Sequence, residues 1–232
     1  MLKSLCVIPA RSGSKGLKDK NILDLSGKPV LAYTIEACKN AGIFSEVFVA
    51  TDSEVYAEIA QKYGALVPFL EPEEMAGDLV SSAEPLLYFY EQLKKEYDLL
   101  WCFQPTSPLK TAEDIINAYK VLEENPECQY VLSTTIIDPH YFHWALEERE
   151  NGMTELYFGK KMLVDRSLLN PVYRPNGAIK VGRTEKVLEY RHFFGDHIMR
   201  TEMPEERAIH IRSQFDLDLC RMLVSGEDKK CL

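Results

Sequence analysis

The fold turns on Val7-Ile8-Pro9-Ala10-Arg11-Ser12-Gly13-Ser14-Lys15-Gly16-Leu17-Lys18-Asp19-Lys20-Asn21. The apolar run at 5–8 predicts a buried first strand. It gives way to a loop holding two glycines, two serines, one arginine and three lysines. Glycine lets the backbone take unusual dihedrals and lets a ligand approach closely. Successive N–H groups in such a turn form an anion-binding concavity, and Arg11, Lys15 and Lys20 add full positive charges to it. So basic a loop, in a chain of net charge −9, implies a local requirement for an anion, and a polyphosphate fits best. The place directly after a first buried strand is where open α/β sheets bind ligands. Taken alone, the same residues also read as a solvated basic surface loop.

Outward from this loop, strand and helix patterns alternate to about residue 135. A helix is predicted at 31–41, where Leu31, Ile35 and Cys38 recur at helical spacing and Gly42 is a natural stop. A short β-branched strand at 47–50 precedes Thr51 and Glu54, a capping-box pattern for a helix to residue 63. A third strand is expected at 66–70. Ser81 and Glu84 form another capping pattern, for a helix to about 96. Then come a strand at 99–103, a turn at 104–109, a helix capped by Thr111 and Asp114, and a strand at 130–135. This rhythm predicts an α/β fold, a mostly parallel sheet with helices on both faces. It breaks at 138. The aromatic, charged segment 138–173 reads as an inserted arm whose apolar residues need a partner surface, in a chain whose residues 1–232 otherwise make a single domain. A turn at 174–178 is expected to feed a strand ending at 181. A helix at 184–190, strands from 198 and at 209–212, and a final helix at 215–224 complete the pattern.

The composition, 46% hydrophobic and 27% charged over 232 residues, suits a real core. The acidic balance argues against general nucleic-acid binding. There is no 18-residue apolar run to span a membrane, and the apolar run at the N-terminus is too short for a signal peptide. Cys6, Cys38, Cys102, Cys128, Cys220 and Cys231 include no Cys-x-x-Cys pair, which suits reduced thiols in a cytoplasmic protein.

Several other groups are chemically suggestive. Gln104-Pro105-Thr106-Ser107-Pro108 holds an amide and two hydroxyls between prolines at a strand's C-terminal end, a pre-organised hydrogen-bonding turn. Arg174 stands before the stiff Pro175-Asn176-Gly177, with Arg166 eight residues earlier; arginine suits fork-like recognition of carboxylate. Phe193-Phe194 reads as core packing or as one wall of a pocket. The first loop lacks both the Gly-x-Gly-x-x-Gly and the Gly-x4-Gly-Lys-Ser/Thr spacing, so neither dinucleotide redox nor ordinary ATPase chemistry is indicated.

Ile8-Pro9-Ala10-Arg11-Ser12-Gly13-Ser14-Lys15-Gly16 with Lys20-Asn21, then Ala76-Gly77-Asp78 with Ser81-Ser82, the Gln104-Pro105-Thr106-Ser107-Pro108-Leu109 turn, and Arg174-Pro175-Asn176-Gly177-Ala178 together resemble the signature of the CMP-sialic acid synthetases (acylneuraminate cytidylyltransferases). They come in family order over nearly the whole chain. The resemblance implies a nucleotidyltransferase (Rossmann-like) three-layer sandwich that transfers CMP from CTP to the anomeric hydroxyl of a nonulosonic acid such as sialic, legionaminic or pseudaminic acid, releasing pyrophosphate with the help of Mg²⁺. It further implies that Arg11, Lys15 and Lys20 contact the triphosphate. Ala10, Ser12, Gly13, Ser14, Asn21 and Ser82 would complete the nucleotide site. Gln104, Thr106, Ser107, Arg166, Arg174, Asn176, Phe193 and Phe194 would serve the acidic sugar. The arm at 138–173 would pair two subunits as a homodimer.

The chain departs from the family pattern at the metal. Where the family carries Asp-x-Asp, this sequence carries His210 and Arg212, with Asp216 as a weaker candidate ligand. Glu71 and Lys180 replace residues that are usually arginine and aromatic. Two other readings stay open: a nucleotide-binding paralogue with weakened catalysis, and a cytidylyltransferase for another keto-acid sugar.

Overall fold

In strand β1 (Ser4–Pro9) Leu5 and Val7 enter one apolar cluster while Cys6 and Ile8 enter another, and all four are fully buried. An apolar run buried on both sides is what a parallel sheet covered by two helical layers demands. The structure, a computed structural model, describes residues 2–13, 16–72, 81 and 83–226, with the side chains of Met162 and Arg166 left aside. Ser14, Lys15, Ser82 and the Ala76-Gly77-Asp78 motif lie outside the described residues.

After β1 come the two-residue strands β2 (Asp24–Leu25) and β3 (Lys28–Pro29), α1 (Val30–Asn40), β4 (Val47–Ala50), α2 (Glu54–Lys62), α3 (Ala83–Leu93), β5 (Leu99–Cys102), α4 (Ala112–Glu124) and β6 (Tyr130–Ile137). The second half holds α5 (Pro139–His143), the hairpin β7 (Leu146–Glu148) and β8 (Thr154–Leu156), β9 (Val172–Arg183), α6 (Thr184–Tyr190), β10 (Ile198–Glu202) and α7 (Gln214–Ser225). The main sheet has the order β10-β6-β9-β5-β1-β4, with β9 antiparallel to both neighbours and the other pairs parallel. Leu31 and Ile35 of α1, Tyr56 of α2 and Ile115 of α4 pack on the Cys6 face; Leu86 and Phe89 of α3 and Val187 of α6 pack on the Leu5 face. The chain is thus the three-layer α/β sandwich expected.

Four local expectations change. No strand forms at 66–70 beyond a parallel bridge of Leu66 to Phe48, because Pro68 has no N–H for a ladder. The cap of α2 is Ser53, whose side chain accepts from the Tyr56 N–H, rather than Thr51. Helix α3 ends at Leu93, short of 96, where Lys94 turns left-handed at φ 49°. Residues 209–212 form no strand.

The expected turn at 174–178 lies inside β9 as a bulge. The register of β6 against β9 shifts between Leu132 and Thr134. Ser133 Oγ donates to Asn176 Oδ1 at 2.5 Å, and the Ala178 N–H donates to the same oxygen at 3.1 Å. Bulges re-aim side chains beside functional sites, and this one sits at the sheet edge described next.

Candidate functional site

The sheet order puts β1 between β4 and β5, so the chain leaves β1 toward one side and returns on the other. The crevice outside the C-terminal ends of β1 and β5 is therefore the switch point at which doubly wound sheets bind ligands. Three segments meet there: the loop after β1, the turn after β5 and the stretch leading to α7.

The loop is tied down at both ends. The Ala10 N–H donates to Ala50 O at 2.7 Å. The Ser12 N–H and Oγ donate to the two oxygens of Asp52, at 2.8 and 2.7 Å. Asn21, buried, donates from Nδ2 to Arg11 O at 3.1 Å, while its Oδ1 has no partner among the described residues. Gly13 is exposed and a Cβ there would meet nothing within 4 Å. Burial, then the neighbouring Arg11 charge, holds the Lys20 ammonium below its ordinary value. Two cations are thus held close together, an arrangement that favours an anion. Asp52 escaped the sequence reading because Thr51-Asp52-Ser53-Glu54 was framed around a Thr51 cap; with Ser53 capping, Asp52 is left to grip the loop.

The turn after β5 is organised by a residue the sequence reading missed. Lys110 is buried, and its Nζ donates to Thr34 Oγ1 at 2.7 Å, Gln104 O at 3.0 Å and Ser107 O at 2.6 Å. Burial pulls its ammonium down to about 8, which leaves it charged at neutral pH. The Gln104 amide lies against Gly177 of the β9 bulge: a Cβ there would stand 3.1 Å from Gln104 Oε1, and Gly177 has φ 77°. A glycine is therefore required for both reasons.

The third segment is anchored by Arg207, which grips the buried Asp114 carboxylate of α4 with both terminal nitrogens. The Ile211 N–H donates to Thr106 O at 2.7 Å. Thr106 Oγ1 lies 3.3 Å from His210 Nδ1 and Ser107 Oγ 3.1 Å from it. Burial, with the charges of Lys20, Arg212 and Lys110, pushes the His210 imidazole down to about 4, so it is neutral at pH 7. A Cβ on Gly16 would stand 3.0 Å from Arg212 O, so the basic loop rests on this segment's backbone.

Arg174, His210, Arg212 and Asp216 line one cleft of about 480 Å³. A larger cleft of about 830 Å³ at the root of the arm, lined by Asp138, Asp165 and Ser167, meets it at Glu205. Arg166 lies in a short 3-10 turn, Arg166–Leu168, within the arm. Asn176 spends its amide on the bulge, donating also to Thr135 Oγ1 at 3.2 Å. The aromatic pair divides: Phe193 is 1% exposed in the core, while Phe194 lines a groove with Tyr173 and Pro175. Arg174, between those two residues in sequence, lines the other cleft. Among the described residues, then, Phe194 and Arg174 line different clefts.

A sequence profile of the cytidylyltransferases matches residues 5–203. The chain belongs to the cytidylyltransferase family. It is 36% identical over 224 residues to the N-acylneuraminate cytidylyltransferase of Escherichia coli O18:K1:H7, covering 94% of this chain but 51% of that protein, so it spans about half that relative's length. It is 31% identical over 225 residues to a pseudaminic acid cytidylyltransferase of Campylobacter jejuni, covering 96% of each. Its fold matches that of CMP:2-keto-3-deoxy-manno-octonic acid synthetase complexed with CTP, with a TM-score of 0.74 at 19% identity over 97% of this chain and 99% of the other.

In this chain the residues at 210–216 do not fit a magnesium ion. Mg²⁺ wants oxygen ligands, chiefly carboxylates. Arg212 has no lone pair to give, and the His210 ring faces the hydroxyls of Thr106 and Ser107. Asp216 Oδ2 already accepts from the Arg212 N–H, the Ser213 N–H and Ser213 Oγ, at 2.8, 2.8 and 2.9 Å, capping α7. Burial pulls its carboxyl up, but those hydrogen bonds outweigh it and hold it below its ordinary value. Among the described residues no group of three or more His, Cys, Asp or Glu could hold a metal ion. Among them also no helix is long and apolar enough to cross a membrane.

Proposed function

We propose that this chain transfers CMP from CTP to the anomeric hydroxyl of a nonulosonic acid, with release of pyrophosphate. The acceptor oxygen forms a bond to the α-phosphorus, the bond from that phosphorus to pyrophosphate breaks, and the hydroxyl proton passes to water. Such a reaction asks the protein to hold two anions in line and to meet the charge that develops on the phosphates. Arg11 and Lys20, with Lys15, would face the triphosphate. Ser12, Gly13, Ser14 and Asn21 would present loop and amide hydrogen bonds, and Ser82 would reach the base. Gln104, Thr106, Ser107, Arg166 and Arg174 would serve the acidic sugar. Mg²⁺ would arrive as the counter-ion of the nucleotide.

The observation that carries the reading is the meeting of the basic loop, the Gln104–Ser107 turn and the Arg174 cleft at the switch point of the sheet. The arm supports a homodimer: Tyr141 is 84% and Leu168 74% exposed, with Leu146 and Tyr157 also exposed. Phe194, which its own protomer keeps apart from Arg174, would then reach the sugar of the partner. The five described cysteines are buried and outside any disulfide, which suits a reducing cytoplasm.

The test is pyrophosphate release from CTP and Mg²⁺ over a panel of sialic, legionaminic and pseudaminic acids and an eight-carbon keto acid. Release with a nine-carbon acid supports the proposal. Release with the eight-carbon acid alone moves the acceptor, and no release with any overturns the activity. The substitution of His210 and Arg212 favours one second reading, a nucleotide-binding protein of weakened catalysis; CTP binding without turnover would identify it.

A further inference from the structure

The misfit at 210–216 carries a consequence for the nucleotide. We infer that Arg212 supplies a fixed positive charge to the triphosphate, so that CTP binds this protein without a divalent cation held on the chain. This rests on the loop after β1 being the triphosphate site.

Three observations lead to it. The first is position. The loop backbone at Gly16 rests on the Arg212 carbonyl, so the side chain of Arg212 starts at the seam between the basic loop and the cleft of Arg174. The second is availability. Arg212 is exposed, and among the described residues it takes part in no salt bridge; Asp216, the nearest acidic group on its own segment, is committed to the α7 cap through three hydrogen bonds. The third is company. Lys20 and Arg212 both act on His210, and Arg11 acts on Lys20, so the cations of two segments share one small volume.

Bringing cations together this way costs energy in the free protein, and a polyanion relieves it. A guanidinium meets phosphate oxygens through a planar fork of donors. It is permanently charged, so it needs no metal to be loaded first. His210 is neutral and takes nothing from this field, and Asp216, whose charge acts on both His210 and Arg212, is already held by the α7 cap.

Calorimetric titration of CTP into the full chain, in excess Mg²⁺ and in excess EDTA, tests the inference. Wild type is expected to bind with dissociation constants within about threefold of each other, well under the tenfold that one charged contact commands. Arg212→Ala is expected to weaken binding about tenfold or more in EDTA, and Arg212→Lys to recover most of that loss. The side chain is exposed, and an unchanged melting temperature will show both variants folded. Binding that needs Mg²⁺ overturns the inference and leaves the proposed function standing. An unaffected Arg212→Ala does the same. No binding under either condition overturns both.

Discussion

The seam at the sheet edge and the arm, expected at 138–173 and ending at 171 where β9 begins, are built on opposite principles. At the seam, polar groups are buried and tied: Lys110, Asp114, Asn176, Thr106 and Ser107 are each less than a tenth exposed, and hydrogen bonds link one segment to the next. Burying such groups is costly unless each finds a partner, so the cost fixes the segments in one arrangement. In the arm, apolar groups are exposed and mostly touch one another. His140 stacks on Trp144 with ring centroids 3.9 Å apart, and Phe142 lies 4.9 Å from Phe158. The hairpin is held across its strands by Arg149, paired with Glu147 and Glu155. A two-stranded hairpin is marginal alone, and exposed apolar patches mark contact surfaces. The seam is thus tied together by hydrogen bonds within one chain, whereas the arm leaves apolar surface exposed.

The sharpest way to break this contrast is at the loop. Arg11→Ala is expected to lower kcat/KM for CTP by about a hundredfold or more, with a far smaller effect on the melting temperature, since the bond from Asn21 Nδ2 to the Arg11 carbonyl is kept. Steady-state kinetics beside a thermal melt decide it; normal turnover would remove Arg11 from the phosphate site. Lys110→Met comes next, with a different signature. It leaves two carbonyls and the Thr34 hydroxyl without their shared donor, a loss of about 3 kcal/mol or roughly 6–12 °C in Tm. Turnover should fall about tenfold with a smaller change in KM for CTP if the turn positions the acceptor side as proposed. A stable, fully active variant would show that the turn holds itself. Leu168→Asp tests the other half of the contrast. It is expected to shift the protein toward monomer by about tenfold in dissociation constant, read by analytical ultracentrifugation, without lowering the Tm of the monomer. An unchanged mass would place the contact elsewhere.

How far the sequence foretold these two regions differs for a physical reason. The strands at 5–8, 99–103 and 130–135 were legible because short apolar runs are a local property of the chain. The cationic loop was legible because its charge is written in consecutive residues. The partners that organise the seam were not. Asp52 meets Ser12 across 40 positions, and Lys110 meets Thr34 across 76. Such pairs depend on strand order, which no local pattern encodes. The Arg174–Ala178 segment shows an intermediate case: Pro, Asn and Gly announce a special backbone, but whether it makes a turn or a bulge is decided by Ser133 on another strand. Likewise Phe193 and Phe194 are neighbours of one residue type, and only packing sends the first to the core and the second to a groove.

Glu71 gives the smallest effect and probes the seam from behind. It is 6% exposed, with its N–H donating to Thr51 O at 2.8 Å and its Oε1 without a partner among the described residues. Burial, then the Asp52 charge, pushes its carboxyl up to about 7. A carboxyl whose folded value is raised holds its proton longer in the native state than in the unfolded chain. Its contribution to stability is therefore greatest below about 4.5, the ordinary carboxyl value, and is lost as pH rises through about 7. Glu71→Gln keeps the shape and removes the charge. Its Tm should match wild type at pH 5 and exceed it by a few degrees at pH 8. Because Asp52 holds Ser12 with both oxygens, relief of the Glu71 charge should also steady the loop and tighten CTP at pH 8 by about twofold, in keeping with a charge at the back of the site. Equal melting curves for both proteins at pH 8 would mean that Glu71 already finds a cation or water there. The rear of the seam would then be as fully satisfied as the join between the turn and the stretch leading to α7.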